Sequence, residues 1–388
     1  MHTVLLIFQV ALAVYLLALL WFLVGLFRPE PQRTESQPDV SVIVAVRNGD
    51  PHLSRLLPQL LDQDYPASQL EIVIIDDGLS DEARSILDEA AGKNQCIKVV
   101  DSSSGARHLT HKKRALDAGI RRSRGAVLLF TDVDCQIGNA WVRGMVSYFI
   151  PGIDYVVGWS QVGLDLSKAE SASPFKVFER VDFAMLMLAA RGATLMGTPW
   201  ASSGQNQAYR RSVYDRVEGF KKLAHRLQGD DSLFLQVARR RAKARVTFAT
   251  DLDTKVVTDP AGSLKQLVYQ RIRWAGDAVA MWRFNPAFFP IPVATLGVNA
   301  LIIVLAVFAL ADSTIILPVL TSGILLKALV EMTFLGLGST RVSLVELRRH
   351  FPLWFLLQIP YVTVVGLASF WGNRLPWRRP GTGKQKGG

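Results

Sequence analysis

Twenty-five consecutive residues, Thr3 to Phe27, carry no charge and are almost wholly apolar. In hydrocarbon such a stretch has one stable form, a helix that satisfies its own backbone, and this one is long enough to span a bilayer. It exceeds the apolar core of a secretory signal and no basic region precedes it, so it is expected to remain as an anchor. Three more apolar segments close the chain, about Phe288 to Leu310, Ile315 to Leu337 and Phe351 to Trp371. Arg28 and Arg33 follow the first segment, which orients the downstream chain toward the cytoplasm. The expectation is an integral protein of the cell (inner) membrane with its main domain in the cytosol. The far end conflicts with this orientation. Three closing spans would put the basic tail 374–388 outside, although that tail and the loop Arg341 to His350 both favour the inside. Phe351 to Trp371, with Pro352, Gln358 and Pro360, is the segment expected to be interfacial or re-entrant. Lys327 and Glu331 lie four apart on one helix face, and charges in hydrocarbon are usually paired. A structural ion pair near a helix–helix contact is expected there, a role in lipid entry being the other reading.

The net charge is +11, which suits nucleic acid, anionic lipid or phosphorylated substrates. Much of it lies in Lys221 to Arg245 and in the tail from Arg374 to Lys386, beside apolar segments. Such placement reads as membrane orientation, and nucleic acid is not an expected partner. Cys96 and Cys135 match no metal spacing and no disulfide framework, which fits a reducing compartment. Cys135 reads as a small buried apolar residue.

Between the apolar ends the pattern is α/β. Arg28 to Asp39, with three prolines, is a linker. Strands are expected at Val40 to Val46, Leu70 to Ile75, Ile97 to Val100 and Val127 to Phe130. Helices are expected near His52 to Gln63, Ser80 to Ala91 and His111 to Arg124. Strands alternating with helices at this spacing give a mostly parallel sheet with helices on both faces. Trp141 to Gly163 reads as a helix and a strand pair, and Pro174 to Arg191 as a long helix of the core or the membrane side. Ser202 to Asn206 is a polar turn, either a plain loop or room for an acceptor. No G-x-G-x-x-G follows the first strand, which counts against a dinucleotide oxidoreductase.

Acidic residues mark the ends of two of these strands. Val127 to Phe130 leads into Thr131-Asp132-Val133-Asp134, and Leu70 to Ile75 into Asp76-Asp77-Gly78. Ligands of open α/β sheets bind beyond the carboxyl ends of the strands. Asp132 and Asp134, two apart, point the same way along an extended chain. They suit a hard cation, Mg²⁺ or Mn²⁺, bridged to a diphosphate; alone, the pair fits a strand-end turn equally well. Asp76 or Asp77 can accept from a nucleobase N–H or a ribose hydroxyl. Gly229-Asp230-Asp231 opens an amphipathic helix at Ser232 to Lys243, where one carboxylate is a cap and the second exceeds that need. One of the two can serve as a general base. In the helix from Ser263 to Arg283, Gln270, Arg273 and Trp274 stand at i, i+3 and i+4 on one face. Arg273 can grip phosphate and Trp274 can stack on a sugar, while an interfacial amphipathic helix has the same composition.

Taken in order, Val40 to Asn48, Asp76-Asp77-Gly78, Asp132-Val133-Asp134, Gly229-Asp230-Asp231 and Gln270-Arg271-Ile272-Arg273-Trp274 resemble the motifs of a membrane-bound family-2 glycosyltransferase of GT-A fold. The resemblance covers about Val40 to Trp282, and the flanking segments are similar to those of the ceramide and carotenoid glycosyltransferase type. It implies an inverting transfer from a nucleotide-diphospho-sugar, most often a UDP-sugar, to a membrane lipid or lipid-linked acceptor. By that resemblance Asn48, Asp76 and Asp77 would wall the base, and Asp132 and Asp134 would meet ribose and the metal-bound diphosphate. Lys112 would lie near the phosphates, Asp230 would line the site, Asp231 would be the base, and Gln270, Arg273 and Trp274 would close it. The chain departs from the family at Gly49, where Glu is usual, and at His111, where a glycine usually precedes the lysine. The implied organisation is an anchor at 1–27, a linker at 28–39, a cytosolic GT-A domain at 40–284 ending in an interfacial helix, and a membrane region at 285–373. A processive polysaccharide synthase is the alternative enzyme, and a silent nucleotide-sugar-binding scaffold the alternative of another class. The few closing segments favour single transfer.

Overall fold

The computed structural model describes residues 1–48, 50–163, 173–311 and 313–370. Gly49 and the expected basic tail, 374–388, lie outside the described residues.

The expected alternation is present. Strands β1 (Val40–Asn48), β2 (Leu70–Leu79), β3 (Ile97–Asp101) and β4 (Val127–Phe130) run parallel in the order β3-β2-β1-β4. Helices α2 (Asp50–Leu61), α3 (Asp81–Lys93) and α4 (His111–Arg122) connect them. Strand β1 is apolar at successive positions because both faces are covered. Val42, Val44 and Val46 join Leu53, Leu56 and Trp141 on one side, and Ile43 joins Ile75, Leu116 and Phe130 on the other. From β3 the chain returns to the far side of β1 to make β4, so β1 and β4 flank a topological switch point. The crevice at such a point is where open α/β sheets take ligands. Strand β2 runs on through Asp76 and Asp77 to Leu79, so that pair lies within the strand and not in a turn after it.

Past β4 the topology changes. The elements are β5 (Cys135–Ile137), α5 (Trp141–Val146), β6 (Tyr155–Val157), β7 (Ser160–Val162), α6 (Pro174–Leu195), β8 (Gln207–Arg210), α7 (Arg211–Arg216), α8 (Ser232–Arg241), β9 (Val246–Phe248), β10 (Val256–Thr258) and α9 (Leu264–Phe284). Strand β8 inserts antiparallel between β4 and β6, and β9, parallel to β6, completes a seven-stranded sheet. Strands β5, β10 and β7 form a second, three-stranded sheet.

Among the described residues, four helices are long and apolar enough to cross a membrane by length and composition. They are α1 (His2–Leu26), α10 (Pro290–Phe308), α11 (Ser313–Thr340) and α12 (Phe351–Ala368), the last preceded by 3₁₀ turns from Val345. Helix α12 stays continuous through Pro360 and packs against α10, α6 and α9. Helix α6 joins the two halves, touching α1 and α12 as well as β7 and β9. At its crossing with α1 the backbones touch. A Cβ on Gly25 would lie 2.0 Å from the Gly192 carbonyl oxygen, and one on Gly192 would lie 2.2 Å from that of Phe22. The core over the Ile43 face runs without a break into these apolar helices.

The expected Lys327–Glu331 pair is present and fully buried, Nζ donating to Oε1 at 2.8 Å. Tyr15 of α1 donates its hydroxyl to the same oxygen, and Gln358 of α12 donates Nε2 to Oε2 at 2.7 Å. The Lys327 ammonium lies 4.8 Å from the centroid of the Phe355 ring. A charge pair satisfied from three helices is the arrangement that low-dielectric burial requires.

Candidate active site

Helix α4 brings distant carboxylates together. Lys112 Nζ donates to Asp132 Oδ1 at 2.6 Å and lies 3.3 Å from Asp230 Oδ2. One ammonium thus bridges the loop after β4 and the loop before α8. Burial works against its charge, but Asp132 and Asp230 outweigh burial and hold its pKa above the usual lysine value. The next residue, Lys113, is buried and donates Nζ to the carbonyls of Arg226 and Gln228 at 2.6 and 3.0 Å. Two successive lysines therefore tie the acidic loop to α4, one through side chains and one through backbone.

The loop itself is fixed from several sides. Gly229 takes φ +105°, a conformation L side chains rarely adopt, and a Cβ there would lie 2.9 Å from Leu233 Cδ1. Gln207 of β8 donates Nε2 to the Asp230 carbonyl at 3.0 Å. Asp231 caps α8, accepting from the Ser232 N–H. Ser232 Oγ accepts from the Ser202 N–H and donates to the Ser202 carbonyl, each at 3.0 Å. That clasp holds the polar turn against the acids. A Cβ on Gly204 would lie 3.4 Å from Asp230 Oδ2, 3.5 Å from Lys112 Nζ and 3.7 Å from Asp231 Cβ.

The adjacent carboxylates titrate in opposite directions. Burial works to raise Asp230, but Lys112 and Lys113 prevail and hold it below the ordinary aspartate value. Asp231 is pushed up to about 7 by burial and by the negative charges of Asp230 and Asp277. The surroundings of the two adjacent carboxylates thus drive their proton affinities apart.

Helix α9 closes the cluster. Gln228 donates Nε2 to the Arg273 carbonyl at 3.2 Å, and Arg226 pairs with Asp277 at 3.2 Å. Burial lowers the Arg273 guanidinium, opposed by Tyr269, Asp230, Asp277 and Asp132. Gln270 is half-buried one turn earlier on α9. The Trp274 ring lies 5.8 Å from Phe183 of α6, with the Arg271 guanidinium 4.4 Å above it. Asp277, one turn beyond Arg273, escaped the sequence reading; its i+4 spacing from Arg273 was the available signal.

Asp134 is raised by burial and by the charge of Asp132, the imbalance that a bound cation relieves. Arg55 fixes the backbone here, donating to the Asp134 carbonyl at 2.9 Å while holding Asp259. No group of three or more His, Cys, Asp or Glu side chains suited to a metal occurs among the described residues. The protein would thus supply two carboxylates and leave the other positions to phosphate and water, as Mg²⁺ sites commonly do.

Asp76 and Asp77 have different surroundings. Asp76 is buried; its Oδ1 accepts from the Gly78 and Leu79 N–H groups at 2.9 Å each, and Arg84 engages Oδ2. Despite burial, these partners keep its pKa below the ordinary value. Its lone pairs shape the end of β2. Asp77 lines a cleft of about 350 Å³ with Arg47, Ser102, Arg107, Leu109, Thr110, His111 and Arg114, and Arg47 lies 3.9 Å from it. Asn48 ends β1 beside this cleft with φ +58°. The cleft reaches Thr110 and His111 just before Lys112, so the α4 start joins it to the acidic cluster.

Residues 41–217 match the family model described as Glycosyl transferase family 2, and the chain carries a domain of that kind. Glycosyltransferase AglE of Haloferax volcanii is 32% identical over 128 residues, 32% of this chain and 40% of that protein. Beta-monoglucosyldiacylglycerol synthase of Synechocystis is 29% identical over 116 residues, 30% of this chain and 24% of that protein. The chain thus spans less than half the length of these two curated relatives. The solved structure of mannosyltransferase PcManGT from Pyrobaculum calidifontis, in complex with GDP-Man and Mn²⁺, superposes with a TM-score of 0.60 at 19% identity. It covers 94% of this chain and 99% of its own, which identifies the fold as GT-A-like.

Proposed function

We propose that this chain is a membrane-anchored inverting glycosyltransferase that moves one sugar from a nucleotide-diphospho-sugar to a lipid or lipid-linked acceptor. The donor is a UDP-sugar by the family resemblance. The observation that carries this reading is the contact of Lys112 with both Asp132 and Asp230, beside a carboxylate, Asp231, that titrates near neutrality. The lipid acceptor is supported by the four apolar helices and by the likeness to a glucosyldiacylglycerol synthase. Residues 1–27 serve as anchor, 28–39 as linker, 40–284 as the cytosolic catalytic domain ending in the interfacial α9, and 285–373 as the membrane region.

In the reaction Asp231 accepts the proton of the acceptor hydroxyl through Oδ2, its Oδ1 being engaged by the Ser232 N–H. The acceptor oxygen bonds to the anomeric carbon from the face opposite the leaving group. The bond from that carbon to the diphosphate breaks, and the nucleoside diphosphate departs. Asp230, held as an anion by its lysine, keeps Lys112 beside the phosphates and adds to the field that raises Asp231. Arg273 stabilises the growing negative charge from the α9 side. Asn48 and Asp77 hold the nucleoside, Gln270 and Trp274 support the acceptor end, and Asp132 and Asp134 would hold Mg²⁺ or Mn²⁺. A bound cation would neutralise charge on the leaving diphosphate.

The test is incubation of the purified full chain in lipid nanodiscs with Mn²⁺, a total lipid extract and a panel of labelled nucleotide sugars. A glycolipid bearing one sugar supports the reading. A long polymer supports a processive synthase instead, and nucleotide-sugar binding without turnover supports a scaffold.

A further inference from the structure

His111 stands where two clefts meet. It lines the cleft of about 350 Å³ around Asp77 and also a second, of about 260 Å³, formed with Thr110, Ala224, His225, Arg226 and Leu227. Its neighbour Lys112 holds Asp132 and Asp230. On its other side Arg47, Arg107 and Arg114 line the same cleft as Asp77, the one acid among its lining residues. A cleft lined by three arginines and one acid favours a ligand more anionic than a nucleoside alone. His111 is the wall residue between that cleft and the acidic cluster. Its backbone takes φ +53°, a left-handed conformation that L residues adopt at a cost and glycine adopts freely. Glycine is thus the conformationally favoured residue at this position, yet the chain carries a side chain there.

We propose that His111 is a donor-binding residue, whose imidazole contacts the diphosphate of the nucleotide where it passes from the Asp77 cleft to Lys112. The strained backbone is retained because the side chain contributes to donor affinity. This inference rests on the function proposed above, and it deepens that reading by assigning a residue and a ligand group. Its consequence is a trade between stability and affinity that a packing residue would not show. Removing the side chain relaxes the backbone and weakens the donor.

The experiment uses the full chain in detergent and measures two quantities for wild type, His111→Gly and His111→Asn. One is the thermal midpoint without nucleotide; the other is calorimetric affinity for UDP and for GDP with Mn²⁺. Asparagine tolerates the left-handed conformation and keeps a hydrogen-bond donor. The expected result is a midpoint for His111→Gly at or above wild type, with nucleotide affinity lower by roughly tenfold, the loss typical of a hydrogen bond to a charged group. His111→Asn should fall between the two in affinity. Wild-type affinity in His111→Gly overturns the inference and leaves the function standing. A wild type that binds neither nucleotide overturns the function and this inference with it. A large drop in the His111→Gly midpoint also overturns the inference, because it makes the side chain a packing element.

Discussion

Replacing Asp231 by asparagine should remove catalysis and strengthen the fold together. Asp231 rises from an ordinary 3.8 to about 7, through burial first and then the charges of Asp230 and Asp277. A carboxylate raised on folding gives up proton affinity when the chain unfolds, so its ionised form costs stability. The sign follows from linkage. The cost is absent below the unfolded pKa, grows between pH 4 and 7, and is complete above the folded pKa. At about 1.4 kcal/mol per pH unit, a rise of this size sets a ceiling of about 4 kcal/mol. Asp231 keeps partial exposure, and solvent screening holds the realised cost below that ceiling. Asp231→Asn should therefore unfold later than wild type at pH 8 and together with it near pH 4, followed by tryptophan fluorescence during heating. Its turnover should fall by about two orders of magnitude or more, while nucleotide affinity holds. Wild-type turnover should itself decline about tenfold per pH unit below 7, as the base is protonated. Equal stability of the two proteins at every pH, or turnover within a few-fold of wild type, would refute the assignment of the base.

Three further outcomes are expected. Excess chelator should abolish sugar transfer and added Mg²⁺ or Mn²⁺ should restore it; full activity in chelator contradicts the role of Asp132 and Asp134. Lys327→Met should destabilise the chain by about 3 kcal/mol, because it strands the Glu331 carboxylate, whereas the Lys327→Met, Glu331→Gln double variant should recover most of the loss. Detergent unfolding curves would show it, and additive losses would contradict the pairing. Gly25→Val should prevent the α1–α6 crossing, where its Cβ would meet backbone at 2.0 Å. It should yield aggregated protein by size-exclusion chromatography, and a monodisperse peak would contradict the close packing.

What the sequence made legible follows the physics of each element. Strands β1 to β4 could be read because apolar runs of four or more residues between turn residues carry their own signal. The acids at their ends were legible because parallel strands end at one edge. Strands β5 and β10 of the second sheet and β9 of the first have three residues each and show no period, so they appear only when the chain is folded. Strand β8 lies just past the polar turn at Ser202 to Asn206, in residues where no strand was expected. The bridging of Asp132 and Asp230 by Lys112 depends on loops about a hundred residues apart, beyond any periodic signal. His111 was visible as an unusual residue, but its positive φ was not.

The central claim is that acids distant along the chain act on one nucleoside diphosphate. Calorimetric titration of UDP and GDP, with Mn²⁺ and then with chelator, tests it most directly on wild type, Asp77→Asn, Asp134→Asn and Asp231→Asn. Binding should need Mn²⁺ in the wild type, fall sharply in both Asp77→Asn and Asp134→Asn, and persist in Asp231→Asn. Binding that ignores the cation and survives the first two substitutions would contradict the account.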